Sequence, residues 1–313
     1  MSGLPAIEKA FRASERRLWG LCYRMTGVAA DADEIVQESF AKALESTAVL
    51  ASADLERWLV RVVTNLSIDC LRKRRRRRYS GPWLPSPHED GLPADATDPR
   101  DGAERRYERA EQVSYAFLVA LEALTPRSRA VLLLTDVLDC PAAEVASILG
   151  IREGNVRVLH HRARRALEAA GASASVSPDV LARQRGALER LVLCMMQQDG
   201  VGMEKLLADS VRSITDGGGV YTALREPLAG KPAVIRFHLE VARRRAPIST
   251  SEIRVVNGAA ALVVVTRPLR SRMSPRLVLR CEVDADGRIR ELHTILAPRK
   301  LTAVRFGEPP RAV

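Results

Sequence analysis

The sequence predicts a multi-domain chain, all-α up to about residue 171 and α+β beyond it. Three observations carry this. The 313 residues are enough for two or three domains, at roughly 150 residues each. Apolar residues recur at helical spacing up to about residue 171. After Ser173 strand-like runs appear, with Asn-Gly and Asp-Gly between them. Hydrophobic residues at 46% and charged residues at 28% form an ordinary globular mixture, which excludes a wholly disordered or fibrous chain.

Taken in order, Ile7, Phe11, Leu18, Leu21 and Met25 share one face of a first helix that Gly27 ends. A second helix is expected from about Asp31, with Ile35, Phe40, Ala43 and Leu44 inward. Asp31, Asp33 and Glu34 occupy its first turn, where the helix dipole favours acids. Trp58, Leu59, Val62, Val63, Leu66 and Leu71 make a third, running into seven consecutive cations from Arg72 to Arg78. From Tyr79 to about Ala103 the periodicity stops, and G-P-W-L-P-S-P followed by acidic, Pro- and Gly-containing sequence reads as a linker. Helical pattern returns with Val113, Phe117, Leu121 and Leu124 on one face, then Ala130, Leu133, Leu134 and Val137. Two shorter helices follow at 142–149 and 154–169, separated by Gly150.

In the last part, helices are expected at 181–198 and at 232–245, where Pro232 suits a first helical position. Strands at 253–256 and 259–266 flank Asn257-Gly258. A further run at 277–283 leads through Asp286-Gly287 to Ile289 and Leu292. Consecutive hairpins after helices imply an antiparallel sheet with helices packed on one face.

No apolar run approaches the roughly 18 residues of a membrane span. Charges are scattered through the first twenty residues, so no signal peptide, no membrane partner and a cytoplasmic location are expected. Cys22, Cys70, Cys140, Cys194 and Cys281 lie far apart without a C-x-x-C pair and read as single buried thiols. His160 and His161 are adjacent on a helix, about 100° apart, and cannot share one ion; no metal is expected. The net charge of +11 invites nucleic acid, yet its distribution is uneven. Residues 1–170 carry 26 basic against 24 acidic side chains, and residues 171–313 carry 23 against 14.

The sharpest local signal is the helix, Gly turn and helix over 142–169, a helix-turn-helix whose second helix enters the major groove. Val156, Leu159, Ala163 and Leu167 form its buried stripe. Asn155, Arg157, Val158, His161, Arg162 and Arg165 face the other way, a surface suited to guanine edges and phosphates. Arg152 stands where a Ser or Thr cap is expected, which costs the helix about 1 kcal/mol. A second signal precedes the basic run: Asn65 and Asp69 lie four apart on one face, with Arg61 a turn earlier. Polar side chains so placed can hold an unstacked base by its Watson–Crick edge.

D-A-D-E-I-V-Q-E-S-F (31–40), R-W-L-V-R-V-V-T-N-L-S-I-D-C-L-R (57–72) and L-T-P-R-S-R-A-V-L-L-L (124–134), followed by the helix-turn-helix, resemble the two domains of an extracytoplasmic-function sigma factor. The resemblance implies a region 2 helical bundle at 1–78, a linker at 79–105 and a region 4 helix-turn-helix at 106–172. It places Asp33, Glu34, Gln37 and Glu38 against the β′ clamp helices of RNA polymerase core, whose β flap is a second contact. Arg61, Asn65, Asp69, Arg72, Arg74 and Arg75 would meet the −10 element of promoter DNA, with a base flipped out. Asn155, Arg157, Val158, His161, Arg162 and Arg165 would meet the −35 element. Val158 departs from the Ser or Gln of many members; it can touch a thymine methyl but cannot hydrogen-bond.

Residues 178–313 resemble the subgroup carrying a fused SnoaL-like domain, an α+β cone with a curved antiparallel sheet. W-L-P-S-P (83–87) stands where the subgroup has W-L-P-E-P, so the Glu is replaced by Ser86. D-G-G-G (216–219) matches, and A-P-R-K-L (297–301) stands for N-P-x-K-L. The implied fold is therefore two all-α sigma domains followed by a SnoaL-like cone. Its implied role is intramolecular regulation in place of a separate anti-sigma factor, through Trp83, Leu84, Pro85, Asp216, Gly217, Gly218, Gly219, Arg299, Lys300 and Leu301. A tethered domain acts at high effective concentration, so weak contacts suffice. The competing reading is a helix-turn-helix regulator with a ligand-binding or catalytic cone, open to a small-molecule ligand. Asp216, His238 and His293 are its candidate groups, and their spacing defines no constellation. No catalytic residue and no cofactor are expected.

Overall fold

The computed structural model describes residues 4–45, 52–76, 79–89, 114–169 and 177–307. The chain divides into two compact units, residues 1–78 with 101–174 and residues 79–100 with 175–313.

In the first unit, α1 (Leu4–Thr26), α2 (Ala29–Glu45) and α3 (Ser52–Arg76) pack mutually as a three-helix bundle. Gly27, at φ 69°, ends α1 and donates to the Tyr23 carbonyl at 2.7 Å, a left-handed terminator that glycine adopts without strain. Leu44 departs from expectation: it is 56% exposed. The buried stripe of α2 is Ala32, Ile35, Val36, Ser39, Phe40 and Ala43, and position 44 lies about 100° beyond Ala43 around the helix. Two short helices follow, α4 (Tyr115–Leu121) and α5 (Pro126–Asp136). Ser114 and Thr125 cap them, accepting from the Phe117 and Ser128 amides at 3.2 and 3.1 Å. Capping hydroxyls satisfy N–H groups that the helix leaves orphaned, and the Thr125 cap opens α5 just after Leu124, between the two apolar faces that the sequence pattern separates. Val113 itself lies outside the described residues. The helix-turn-helix is α6 (Ala142–Leu149) and α7 (Glu153–Ala169), with Gly150 at φ 62° between them.

A buried arginine ties the two helical groups. Arg129 on α5 donates to the Met25 carbonyl at the end of α1 and to the Leu121 carbonyl, both at 2.6 Å, and lies 2.8 Å from Glu122. Burial lowers its pKa, and the Glu122 carboxylate opposes that shift.

In the second unit, α8 (Pro178–Gln197), α9 (Gly200–Leu206) and α10 (Lys231–Arg244) cover one face of a six-stranded sheet. The strands are β1 (Leu207–Asp216), β2 (Leu228–Ala229), β3 (Ile248–Val256), β4 (Ala259–Thr266), β5 (Arg276–Val283) and β6 (Ile289–Ile295), ordered β2-β1-β6-β5-β4-β3. Ala187, Leu188 and Leu191 from α8 meet Leu279, Cys281 and Leu292 in the core. The pairs are antiparallel except β1 with β6, which run parallel. Register shifts within β1, β3 and the β5–β6 pair bend the sheet, as bulges do. The two turns signalled in the sequence are present: Asn257 and Gly258 have φ 50° and 68°, and Gly287 has φ 76°. Neither β1 nor β2 was signalled. L-A-D-S-V-R-S-I-T-D carries polar residues on both faces, and Ser213 and Thr215 are buried nonetheless.

Candidate functional site

The recognition helix α7 is built as its sequence pattern requires. Val156 and Ala163 are buried and Leu159 and Leu167 half-buried, while Asn155, Arg157, Val158, His161, Arg162 and Arg165 are all exposed together. Glu153 pairs with Arg157 at 2.5 Å in the uncapped first turn. Asp136, at the end of α5, takes His160 at 2.6 Å and Arg164 at 3.6 Å. That use explains the His pair: His160 braces the helix and His161 faces out.

On α2, Asp33, Glu34, Gln37 and Glu38 form one exposed acidic face. Asp33 accepts from the Trp19 indole at 2.6 Å, which fixes its carboxylate on the surface. On α3, Asn65, Asp69 and Arg72 line a cleft of about 170 Å³ with Ile68, Arg127 and Leu149. Arg72 and Asp69 pair at 3.0 Å, and Arg61 is exposed one turn earlier. Arg74 and Arg75 are placed differently. Arg74 donates to the Thr26 carbonyl at 2.7 Å and to Glu122 at 2.6 Å, and Arg75 to the Leu124 carbonyl at 3.1 Å. The basic run is therefore divided, with part of it serving the seam between the bundle and the helix-turn-helix group.

The second unit holds the linker. Residues 79–89 run without regular structure, and Leu84, Pro85, Ser86, Pro87 and Glu89 are buried. Asp216, at the end of β1, is the centre of this arrangement. Its carboxylate accepts from the Tyr79 hydroxyl at 2.5 Å, the Leu84 amide at 2.8 Å, the Gly218 amide at 3.0 Å and Lys300 at 2.5 Å. Lys300 also donates to the Leu84 carbonyl at 2.5 Å and lies over the Trp83 and Tyr79 rings, 4.2 and 4.6 Å from their centroids. A buried ammonium is tolerable only when so neutralised and hydrogen-bonded, and aromatic faces add to that. The glycines after Asp216 are required by space. A Cβ on Gly217 would lie 2.5 Å from the Tyr221 carbonyl oxygen, and one on Gly218, at φ 60°, would lie 2.8 Å from the Ala297 Cβ. Leu301 is buried behind Lys300, whereas Arg299 is exposed.

Two further groups of this site carried no sequence signal of their role. Glu89 is a buried carboxylate between Arg254 at 2.8 Å and Arg305 at 3.1 Å. Asn257 accepts from the His88 amide and donates its own amide to the His88 carbonyl, both at 2.9 Å. Asn257 was visible only as a turn residue. Ser86, standing for the subgroup's Glu, is fully buried, and the linker's buried carboxylate is instead Glu89.

The three candidate catalytic groups do not meet. Asp216 is occupied by the linker. His238 is buried against Ser213 at 2.9 Å, with its pKa lowered to about 4 by burial. His293 pairs with Glu291 at 2.9 Å, which lowers the Glu291 pKa. Cys22 and Cys281 are buried thiols pushed up to about 12 by desolvation. Cys70, Cys140 and Cys194 are only half-buried, contrary to expectation. Among the described residues, no helix is long and apolar enough to cross a membrane, and no group of three or more side chains is placed to hold a metal ion.

Comparison with known proteins gives matches to both helical groups and to nearly the whole chain. The family model for sigma-70 region 2 matches residues 10–77, and that for sigma-70 region 4 matches residues 114–167. The chain is 34% identical over 300 residues to the ECF RNA polymerase sigma factor SigJ of Mycobacterium tuberculosis, covering 93% of this chain and 92% of that one. It is 37% identical over 198 residues to the M. tuberculosis ECF sigma factor SigG, covering 56% of this chain and 53% of the relative. The crystal structure of M. tuberculosis SigJ superposes with a TM-score of 0.67 at 30% identity, over 94% of this chain and 97% of that one.

Proposed function

The chain belongs to the extracytoplasmic-function family of RNA polymerase sigma factors and directs promoter-specific transcription initiation; from that premise we propose that its C-terminal unit regulates initiation by holding the linker between regions 2 and 4. The observation that carries this reading is the buried Lys300–Asp216 pair closed over Trp83 and Leu84. A linker gripped at one end restricts how regions 2 and 4 reach two promoter elements, and the tether keeps the gripping domain at high local concentration.

In this division of labour the acidic face of α2, Asp33 with Glu34, Gln37 and Glu38, meets the β′ clamp helices, and region 4 also meets the β flap. Arg61, Asn65, Asp69 and Arg72 read the −10 element, joined by Arg74 and Arg75 once the seam to Glu122 and Leu124 opens. The exposed face of α7 reads the −35 element, with Arg162 and Arg165 contributing guanine or phosphate contacts. The chain works in the cytoplasm beside its polymerase and is not an enzyme, since Asp216, His238 and His293 are each engaged elsewhere.

The test is transcription in vitro with purified core polymerase and a promoter carrying both elements. Full-length protein starts transcription at a defined site. Truncation from Ala297 and the substitution Lys300→Met both shift the output by three-fold or more in the same direction, without abolishing it. Failure of full-length and truncated protein alike to initiate overturns the polymerase reading. Initiation with unchanged output from both variants overturns the regulatory one.

A further inference from the structure

We propose that the loop joining β4 to β5 is a nucleic-acid contact of its own, taking the phosphate backbone of the promoter duplex through Arg267, Arg270, Arg272 and Arg276. All four side chains are exposed, and the segment from 267 to 276 contains no acidic residue. Several other cations on this unit face carboxylates: Arg185 meets Glu189, Arg212 meets Glu291, Arg254 and Arg305 meet Glu89, and Arg280 meets Glu282. Among the described residues, none of the four loop arginines has an ion pair. These four arginines are therefore part of this unit's uncompensated positive charge.

The loop is also held in shape. The Thr266 amide donates to the Pro275 carbonyl at 2.8 Å and its hydroxyl to the Ser274 carbonyl at 2.9 Å. The Thr222 amide reaches across to the Arg272 carbonyl at 2.9 Å. Arg272 has φ 71°, a left-handed conformation in which a long side chain is strained and glycine or asparagine would be ordinary. Arg276 is braced over the Phe306 ring at 5.2 Å. The loop backbone is thereby held and the Arg276 guanidinium braced, and the fork geometry of arginine suits phosphate oxygens. A polyanion is the matching partner, and the family's activity already brings duplex DNA to this chain. Such contacts add affinity without reading sequence, and they are independent of the linker clasp.

The experiment compares holoenzymes carrying the wild-type chain and R267Q/R270Q/R276Q, which keeps Arg272 and its backbone. Promoter affinity is measured between 50 and 200 mM salt. Losing three phosphate contacts flattens the slope of log K against log salt by about 2.7, so the wild type loses about 40-fold more affinity across that range than the variant. A charge-matched variant on α8, R183Q/R185Q/R190Q, leaves the slope unchanged. Coincident slopes for the wild type and the loop variant overturn the proposal, as does an equal flattening by the α8 variant, which would report only the general field. Tighter promoter binding by the loop variant also overturns it, because the loop would then be covered by an acidic stretch of the chain itself. Coincident slopes with binding to phosphatidylserine vesicles lost in the loop variant assign the loop to a membrane surface and overturn it too.

Discussion

Breaking the Lys300–Asp216 pair is the most discriminating perturbation of the linker clasp. The two side chains are 3% and 0% exposed, so solvent screening gives little relief. Removing one partner of a buried pair costs about 3–5 kcal/mol, because it strands the other charge. Asp216→Asn leaves the Lys300 ammonium with the Leu84 carbonyl and two ring faces. Lys300→Met leaves the carboxylate with the Tyr79, Leu84 and Gly218 donors. The double substitution leaves neither charge and is expected to cost less than the sum of the singles by about 2 kcal/mol or more, a coupling typical of contacting residues. Hydrogen exchange of the segment from Trp83 to Glu89 reads this directly, since the Leu84, His88 and Glu89 amides donate to Asp216, Asn257 and the Ala303 carbonyl. Each single substitution is expected to raise exchange there by about two to three and a half orders of magnitude, at about 1.4 kcal/mol per ten-fold. Additive effects within about 0.5 kcal/mol, or exchange unchanged by either single variant, refute the reasoning.

Three further predictions address other parts of the chain. Burial holds His238 at about pH 4 in the folded state against about 6.5 when unfolded, so the unfolded chain takes up the proton first as pH falls. Stability from this residue is present above about pH 6.5 and is lost toward pH 4, an effect of about 3 kcal/mol. Urea midpoints at pH 7 and 4.5 are expected to fall further for the wild type than for His238→Gln, and equal falls remove the assignment. On the sigma domains, Glu34→Lys is expected to weaken core-polymerase binding ten-fold or more by placing like charges together. Arg162→Ala is expected to cost about 1–3 kcal/mol in −35 binding with core affinity unchanged. Parallel losses in both assays by either variant contradict the separation of the two faces.

Much of this molecule is legible from local pattern. The α7 stripe of Val156, Leu159, Ala163 and Leu167 fixes which face is buried, and hence that Asn155, Arg157, Val158, His161, Arg162 and Arg165 are presented together. Gly27, Gly150 and Asn257-Gly258 mark their turns, because positive φ is a property of a single residue. Strand β1 was not legible. Its inward Ser213 bonds His238 on α10, the buried Thr215 hydroxyl has no hydrogen-bond partner among the described residues, and alternation of apolar residues is absent.

The sequence by itself determined the helical character of the first unit, the helix-turn-helix and the exposed acidic face of α2, since spacing along one helix is enough to place them. Tertiary structure alone decided the pairings. Lys300 stands 84 residues from Asp216 and 216 from Leu84, and Arg305 stands 216 from Glu89. It also set Arg74 and Arg75 against Glu122 and the Leu124 carbonyl while leaving Arg72 on the cleft. The physical reason is the same in each case. A charge in the sequence has no address until folding decides whether water, a carboxylate or a ring faces it, and that depends on residues far away in the chain.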